Sequence, residues 1–225
     1  MRNLFVVFIY WVLLMSFSSC AQGPDDVATL LSDDFSGLEI GTFSTPVGPH
    51  TEYHYLPEAA PKGNWAVSCF SWETGAQRAW HVRKENGTNV MVQGFDNKQM
   101  KHTHPMIVTG DELWRNYTVE VRFAPESDTG QSGVIFRYRN DRCYYFFGVN
   151  GPKAILKMVR HARSFRKPYE EILAQSDCSW LPGEYLIAKV TVQGSHIRAE
   201  LSDGTVLEAD DSTYLLNLTD FYTGF

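Results

Sequence analysis

Helix signals are nearly absent from this 225-residue sequence. Apolar residues rarely recur at helical spacing, and only the segment from Ala162 to Glu171 is ambiguous. Short runs of β-branched and aromatic residues are instead separated by turn residues at intervals of about ten positions. This pattern is typical of an all-β sandwich or barrel. The lack of low-complexity or highly charged tracts also argues against disorder.

Positive charge is scarce, since 20 Lys and Arg face 26 Asp and Glu for a net charge of -6. This balance argues against a general nucleic-acid binder. Several catalytic motifs are missing as well: the sequence has no Gly-x-Ser-x-Gly nucleophile turn, no phosphate-binding loop and no Cys-x-x-Cys pair. These absences weaken the enzyme hypothesis and leave it open.

Paired carboxylates that could share one cleft are also lacking. Glycosidases need two carboxyl groups that flank one bond. Glu170 and Glu171 are adjacent, so in a strand they would point to opposite faces. Asp210 and Asp211 fall near a turn. We therefore predict that both pairs are solvated, and we assign no catalytic residue.

The longest apolar run, Leu4 to Met15, has twelve residues, which suits a signal-peptide core and is short for a membrane span. It ends in Phe17-Ser18-Ser19-Cys20, which resembles a bacterial lipoprotein signal with Phe17 where Leu is usual. We predict a signal peptide over residues 1–19, a lipidated Cys20 and a tether over 20–31. The protein would then be lipid-anchored in the bacterial cell envelope, at the outer membrane or in the periplasm. The alternative is ordinary cleavage that leaves Cys20 as a free thiol.

Only four cysteines are present. If Cys20 is lipidated, the odd number that remains (Cys69, Cys143 and Cys178) allows at most one disulfide. The sequence does not determine which pair would form it. Buried thiols within strands are the alternative.

The central stretch, Leu113 to Val149, predicts three strands. In Tyr117 to Phe123 alternate residues are apolar, which indicates one buried face. Val134 and Phe136 would continue that face in the second strand, with Arg137 and Arg139 turned outward. The third strand, Cys143 to Val149, is aromatic almost throughout. With tight turns at Asn140-Asp141 and Asn150-Gly151-Pro152, we predict an antiparallel meander.

Several motifs together resemble a known family: Asp34-Phe35-Ser36, Trp65, Leu113-Trp114-Arg115-Asn116-Tyr117, Ser132-Gly133-Val134-Ile135-Phe136-Arg137-Tyr138, Tyr144-Tyr145-Phe146 and Val192-Gln193-Gly194-Ser195-His196-Ile197. Over about Ser32 to Asp211 the chain resembles the concanavalin A-like, laminin-G-like jelly rolls. It is most similar to the bacterial 3-keto-disaccharide hydrolase-like domains, also called domain of unknown function 1080. The resemblance implies an exported two-sheet antiparallel sandwich whose concave sheet carries a carbohydrate site.

The end of the chain departs from that family pattern. A last strand normally returns beside the first, where it would cover the edge that Asp33 to Phe35 otherwise expose. Here the sequence stops at Phe225. We therefore expect that the jelly-roll domain, residues 32–225, lacks its last strand and that the natural chain continues.

A local excess of positive charge marks the candidate binding residues. From Arg137 to Lys167, a segment we call the basic island, nine Lys or Arg accompany one acid, Asp141. Aromatic rings cover the apolar face of a pyranose, and Arg binds carboxylates or sulfates with two hydrogen bonds. We predict a carbohydrate-binding surface formed by Arg137, Arg139, Tyr144, Phe146, Lys157 and Glu120. The alternative is that these cations are solvated or pair with acids, as Arg137 would with Glu120.

Metal binding has less support. His102 and His104 would share a strand face and could bind a metal or act as a general base with its partner, but no third ligand lies nearby in sequence. We predict no metal site and no cofactor. Calcium at the rim, in the region of Asp33, Asp34 and Asp210, is the one exception.

The resulting hypothesis is a lipid-anchored jelly roll that binds poly- or oligosaccharides, with acidic glycans as the favoured class, in support of polysaccharide degradation. One alternative is a glycoside hydrolase that acts on modified disaccharides. Another is a non-catalytic accessory module of a larger lyase or glycosidase, with the catalytic module in the same chain or a neighbouring one.

Overall fold

The computed structural model describes residues 28–43, 65–68, 79–95, 104–111, 113–160 and 169–212. The chain divides into two compact units, Met1–Ser32 and Asp33–Phe225, and all of the strands belong to the second. The predicted signal peptide and Cys20 lie outside the described residues. Within the described ranges, no helix is long and apolar enough to cross a membrane.

Thirteen strands make up the described fold. They are β1 (Gly41–Thr42), β2 (Ala66–Ser68), β3 (Trp80–Glu85), β4 (Thr88–Gln93), β5 (Met106–Val108), β6 (Tyr117–Phe123), β7 (Gln131–Asn140), β8 (Cys143–Asn150), β9 (Lys153–Arg160), β10 (Tyr169–Asp177), β11 (Leu186–Gln193), β12 (His196–Leu201) and β13 (Val206–Asp210). The described residues contain no helix. The predicted all-β class is confirmed.

Two four-stranded antiparallel sheets form the centre of the domain, in the orders β10-β9-β8-β7 and β13-β12-β11-β6. Their facing sides share one hydrophobic core, in which Phe147 and Leu156 of the first sheet meet Val190 and Ile197 of the second. Strand alternation produces this core, since every second residue of a strand points to the same side. The arrangement is a two-sheet antiparallel sandwich, as predicted, and is consistent with a jelly roll.

The predicted meander is correct for β7 to β9 and wrong for β6. Tyr117–Phe123 is a strand with the predicted bounds and the predicted buried face. It pairs with β11, however, where Glu120 lies opposite Lys189. Residues 124–130 thus carry the chain from one sheet to the other. A turn-rich connection of this length is compatible with either a hairpin or a crossover, so the pattern alone could not distinguish them.

A smaller layer covers the outer face of the β7–β10 sheet. The β2 and β5 strands pair with each other, and β1, β3 and β4 form a separate antiparallel sheet. In β5 the side chains alternate: Met106 packs against the outer face of the large sheet, whereas Ile107 packs with Val67 and Val82. The β2–β5 pair therefore has apolar contacts on both sides.

The segment Asp33 to Phe35, predicted to be an edge strand, is instead part of a turn. The backbone N–H of Leu38 donates to the carbonyl oxygen of Phe35 at 3.1 Å. Phe35 itself has a positive φ of 62°. Side chains of other segments hold the turn, since Trp65 Nε1 donates to Asp33 at 2.6 Å and Asn89 Nδ2 donates to the Phe35 carbonyl at 3.2 Å. In a turn of this kind an aspartate carboxylate accepts the hydrogen bonds that a neighbouring strand would accept in a sheet.

Candidate ligand site on the outer face of β9 and β10

Lys157 lies on an otherwise apolar strand face. In β9, Leu156 and Met158 point into the main core, so Ile155, Lys157 and Val159 point the opposite way. Lys157 is only 2% exposed. An ammonium removed from water to this extent is costly unless a partner compensates its charge.

Glu170 of β10 is that partner. Its Oε2 accepts a hydrogen bond from Lys157 Nζ at 2.6 Å. The same ammonium lies 5.6 Å from the centre of the Phe146 ring. The two strands are hydrogen-bonded neighbours, with Val159 opposite Glu170 and Ile172 opposite Lys157, so the pair is a diagonal cross-strand contact. The lysine therefore fixes the position of the carboxylate.

His104, just before β5, lies on the other side of this carboxylate. Its Nε2 is 3.9 Å from Glu170 Oε1. The side chains of His104 and Glu170 are 33% and 35% exposed, whereas that of Lys157 is 3% exposed. We call the three residues the Glu170 cluster. Towards solvent, this cluster presents the partly exposed Glu170 carboxylate above a buried ammonium, beside a partly exposed imidazole whose Nε2 atom is itself buried.

Arg137 does not face outward as predicted. It is 9% exposed and has a φ of 49°, within an irregular stretch of β7 between Phe136 and Asn140. This left-handed residue interrupts the alternation, so the side chain turns to the opposite sheet. There its guanidinium donates to the carbonyl oxygen of Gly194, and its backbone N–H donates to the Tyr117 hydroxyl at 2.9 Å. Arg137 thus links the two sheets at one end of the sandwich.

Tyr144 and Phe146 face the same side as Lys157, as predicted, but they are buried at 4% and 7% exposure. Met106 packs against them in the second hydrophobic cluster. Near this cluster the Ser68 hydroxyl lies 2.6 Å from the Tyr138 hydroxyl, which joins β2 to β7. Burial raises the pKa of Tyr138 above its usual value, and neighbouring Asp141 and Tyr144 add to the effect. Neither Tyr144 nor Phe146 offers an open ring face for stacking on a sugar.

Glu120 and Arg139, the two remaining predicted binding residues, lie outside the Glu170 cluster. Glu120 is exposed on the outer face of β6, opposite Lys189, and so belongs to the second sheet. Lys157 points away from the main core on the first sheet. Arg139 is exposed near the end of β7. The structure therefore does not assemble the six predicted residues into one surface, because Glu120 and Lys157 point outward from opposite sheets.

Two of the four acids expected to be solvated are in fact structural. Glu170 holds Lys157, and Asp211 is 5% exposed and accepts a hydrogen bond from the Tyr145 hydroxyl. Burial, followed by the Asp211 contact, raises the pKa of Tyr145. Sequence alternation did contain a signal for Glu170: a lysine between Ile155 and Val159 on an apolar face requires an acid on a neighbouring strand. Nothing in the sequence indicated the Tyr145–Asp211 contact.

No group of three or more His, Cys, Asp or Glu among the described residues could hold a metal ion. His102, the other half of the predicted histidine pair, and Cys69 lie outside those residues. No disulfide joins Cys143 to Cys178. Asp33 and Asp34, considered for calcium, accept hydrogen bonds from the backbone of their own turn.

A shallow depression of about 370 Å³ lies elsewhere, between the segments Asp177–Ser179 and Asp203–Thr205. Asp203 holds the two segments together by accepting from the backbone N–H groups of Ser179 at 3.0 Å and Thr205 at 2.9 Å. Burial raises the pKa of the Asp203 carboxyl, but the hydrogen bonds from Ser179 and Thr205 together lower it by more. The pKa therefore lies below its usual value. Because the carboxylate already serves the loop, the depression is a weaker ligand site than the Glu170 cluster.

No protein-family model, curated protein or solved structure matches this chain.

Proposed function

We propose that this chain is an exported carbohydrate-binding protein whose ligand site includes the Glu170 cluster. One observation carries the proposal: a buried lysine fixes a carboxylate that stays one-third exposed beside a histidine of similar exposure. Carbohydrate hydroxyls are recognised by charged and polar groups held in fixed positions. The pre-positioned carboxylate would accept hydrogen bonds from sugar hydroxyls at little cost in side-chain entropy.

The sandwich fold and the resemblance to 3-keto-disaccharide hydrolase-like domains support the same proposal. The resemblance also suggests hydrolysis of modified disaccharides, but the cluster contains one carboxylate, whereas glycosidases of the usual kind use two. Binding is therefore the function that the geometry favours. A role in polysaccharide degradation, alone or beside a catalytic module, is part of the proposal.

Binding is tested with a glycan array, followed by isothermal titration of each hit. Glu170→Gln should weaken binding about tenfold or more, because hydrogen bonds to a charged group are worth roughly 1.5–3 kcal/mol. The matched control is Tyr185→Ala, which removes a ring that is 39% exposed and belongs to the segment entering the opposite sheet. It should leave the affinity unchanged.

Two results would contradict the proposal. If Tyr185→Ala abolishes binding and Glu170→Gln does not, the ligand binds the second sheet. If the array shows no glycan at all, the carbohydrate function itself is wrong. Chromatography of each bound glycan after incubation separates binding from hydrolysis, since new products would establish the rival activity.

We also propose that Cys20 anchors the protein to the bacterial cell envelope. This part rests on the apolar leader and the Ser18-Ser19-Cys20 sequence. Cys20→Ala should move the protein from the membrane pellet to the soluble fraction, because stable anchoring depends on the attached acyl chains. Cys178→Ala is the control and should still sediment with membranes. A Cys20→Ala protein that remains in the pellet would place the anchor elsewhere.

A further inference from the structure

The sequence contains three dipeptides in which Asn or Asp precedes glycine: Asn86-Gly87, Asn150-Gly151 and Asp203-Gly204. Each lies at or beside the turn of a β-hairpin. In such a dipeptide the backbone nitrogen of the glycine can attack the side-chain carbonyl carbon of the residue before it, because glycine has no Cβ to block the approach. The sequence alone does not distinguish the three sites, but their surroundings in the fold differ.

The β3–β4 hairpin leaves its turn uncovered. Glu85 and Thr88 are paired, so Asn86 and Gly87 form the whole two-residue loop. Both loop residues have positive φ, at 49° and 86°, which is the form of a type I′ turn. Both are exposed, and a Cβ built on Gly87 would meet no described atom within 4 Å. Within the described residues, this turn can therefore change its conformation without first losing a packing contact at the glycine.

We propose that Asn86 is a site of spontaneous deamidation in the folded protein. The Gly87 backbone nitrogen loses its proton and bonds to Asn86 Cγ, while the side-chain nitrogen takes up that proton, through water, and leaves as ammonia. Water then opens the resulting succinimide ring at either of its carbonyl carbons, which gives aspartate or isoaspartate. The net reaction consumes water and releases ammonia, and it is independent of carbohydrate binding.

Asn150 has the same neighbour but is held on both sides. It is the last residue of β8 and pairs with Gln131 of β7 and with Lys153 of β9. The glycine after it is held as well, since the carbonyl oxygen of Gly151 accepts a hydrogen bond from Trp180 Nε1 at 2.9 Å. Ring closure at Asn150 therefore requires the strand end and its turn to open first.

Asp203 is protected through its carboxylate. The two oxygens accept hydrogen bonds from the backbone N–H groups of Ser179 at 3.0 Å and Thr205 at 2.9 Å, and from the Thr205 hydroxyl at 3.0 Å. The side chain cannot turn its carbonyl carbon towards the Gly204 nitrogen without losing these bonds. The fold therefore singles out Asn86 among the three sites.

Isoaspartate at this position would loosen the hairpin. It adds a carbon atom to the main chain, so Glu85 and Thr88 would no longer be joined by a regular two-residue loop. The residue after Thr88 is Asn89, whose Nδ2 donates to the carbonyl oxygens of Phe35 at 3.2 Å and Leu38 at 3.1 Å. The modification would thus weaken the hold of β4 on the turn from Phe35 to Leu38.

The test is peptide mapping by mass spectrometry after incubation of the full chain at mildly alkaline pH. In the folded protein Asn86 should convert at least about tenfold faster than Asn150, because the second site must first break strand pairing and the hydrogen bond from Trp180. In concentrated urea, where neither turn is formed, the two rates should be similar. Comparing the two conditions separates the effect of the fold from that of the local sequence.

Two variants test the assigned causes. Asn86→Gly removes the reacting amide, and glycine adopts the positive φ of this position without strain. It should abolish conversion at this hairpin and leave the Asn150 rate unchanged. Trp180→Phe removes the hydrogen bond to Gly151 and should raise the Asn150 rate in the folded protein about fivefold, with the Asn86 rate unchanged. Circular dichroism establishes that each variant is folded, and the urea comparison on the parent protein needs neither of them.

The proposal would be overturned if Asn150 converted as fast as Asn86 in the folded protein. It would also be overturned if neither asparagine reacted in the folded protein although both reacted in urea, since the fold would then protect the β3–β4 turn as well. An unchanged Asn150 rate in folded Trp180→Phe would contradict the cause assigned to the protection of the second turn.

Discussion

The ion pair between Lys157 and Glu170 leads to an asymmetric prediction for stability. Glu170→Gln should destabilise the domain, because it leaves the ammonium of a 2%-exposed lysine without its negative charge. Lys157→Met should be neutral or slightly stabilising. It replaces a buried charge with a flexible apolar chain of similar length beside Phe146 and leaves Glu170 in contact with water.

The magnitude depends on the burial of the two partners. Removing one member of a fully buried pair costs about 3–5 kcal/mol. Water reaches the Glu170 side of this pair, since that side chain is 35% exposed, so we expect half of that cost, about 1.5–2.5 kcal/mol. For a unit of this size such a loss corresponds to a melting temperature lower by roughly 4–10 °C. Lys157→Met should stay within about 1 kcal/mol of the parent protein or above it.

Urea unfolding at pH 7 of the parent, both single variants and the double variant measures these differences. In the double variant the Glu170→Gln penalty should largely disappear, because no buried charge remains to be compensated. The reasoning would be refuted if Lys157→Met were more destabilising than Glu170→Gln. It would also be refuted if the two changes were additive, since the carboxylate would then not stabilise the ammonium.

Three further changes test other parts of the fold. Arg137→Ala removes the hydrogen bond to the Gly194 carbonyl oxygen and should lower the free energy of unfolding in urea by about 2–4 kcal/mol, with glycan affinity unchanged in the folded fraction. A stable variant that binds ten times more weakly would show that Arg137 contacts the ligand. Gly148→Ala should cost at least about 3 kcal/mol or prevent folding, because its Cβ would lie 2.2 Å from the Ser132 carbonyl oxygen, whereas Gly37→Ala has no atom within 4 Å of its Cβ and should be nearly neutral by thermal unfolding. The pKa of Asp203 is lowered in the folded protein, so the stability that this residue contributes is fully present above about pH 4, the pKa of an unfolded Asp. That stability is lost as the pH falls through the lower folded pKa. Asp203→Asn should therefore make the melting temperature fall less steeply at acid pH, and an unchanged acid dependence would contradict this.

Local sequence patterns were sufficient to predict the all-β class and several of the strands, although the facing of Arg137 and the edge at Asp33 to Phe35 were predicted wrongly. The alternation in Tyr117–Phe123 and the turn residues at Asn150-Gly151-Pro152 give the observed strand and hairpin, because both depend on neighbouring positions alone. The all-β antiparallel sandwich is the sum of such local signals.

Tertiary structure decided which strands became neighbours and which surfaces stayed open. The pairing of β6 with β11, the layer above the large sheet and the left-handed turn at Arg137 all depend on segments distant in sequence. The candidate site changed for the same reason. A lysine's charge is visible in the sequence, but its burial and its partner Glu170 exist only once β9 and β10 pair, since exposure is a property of the packed layers and not of any single strand.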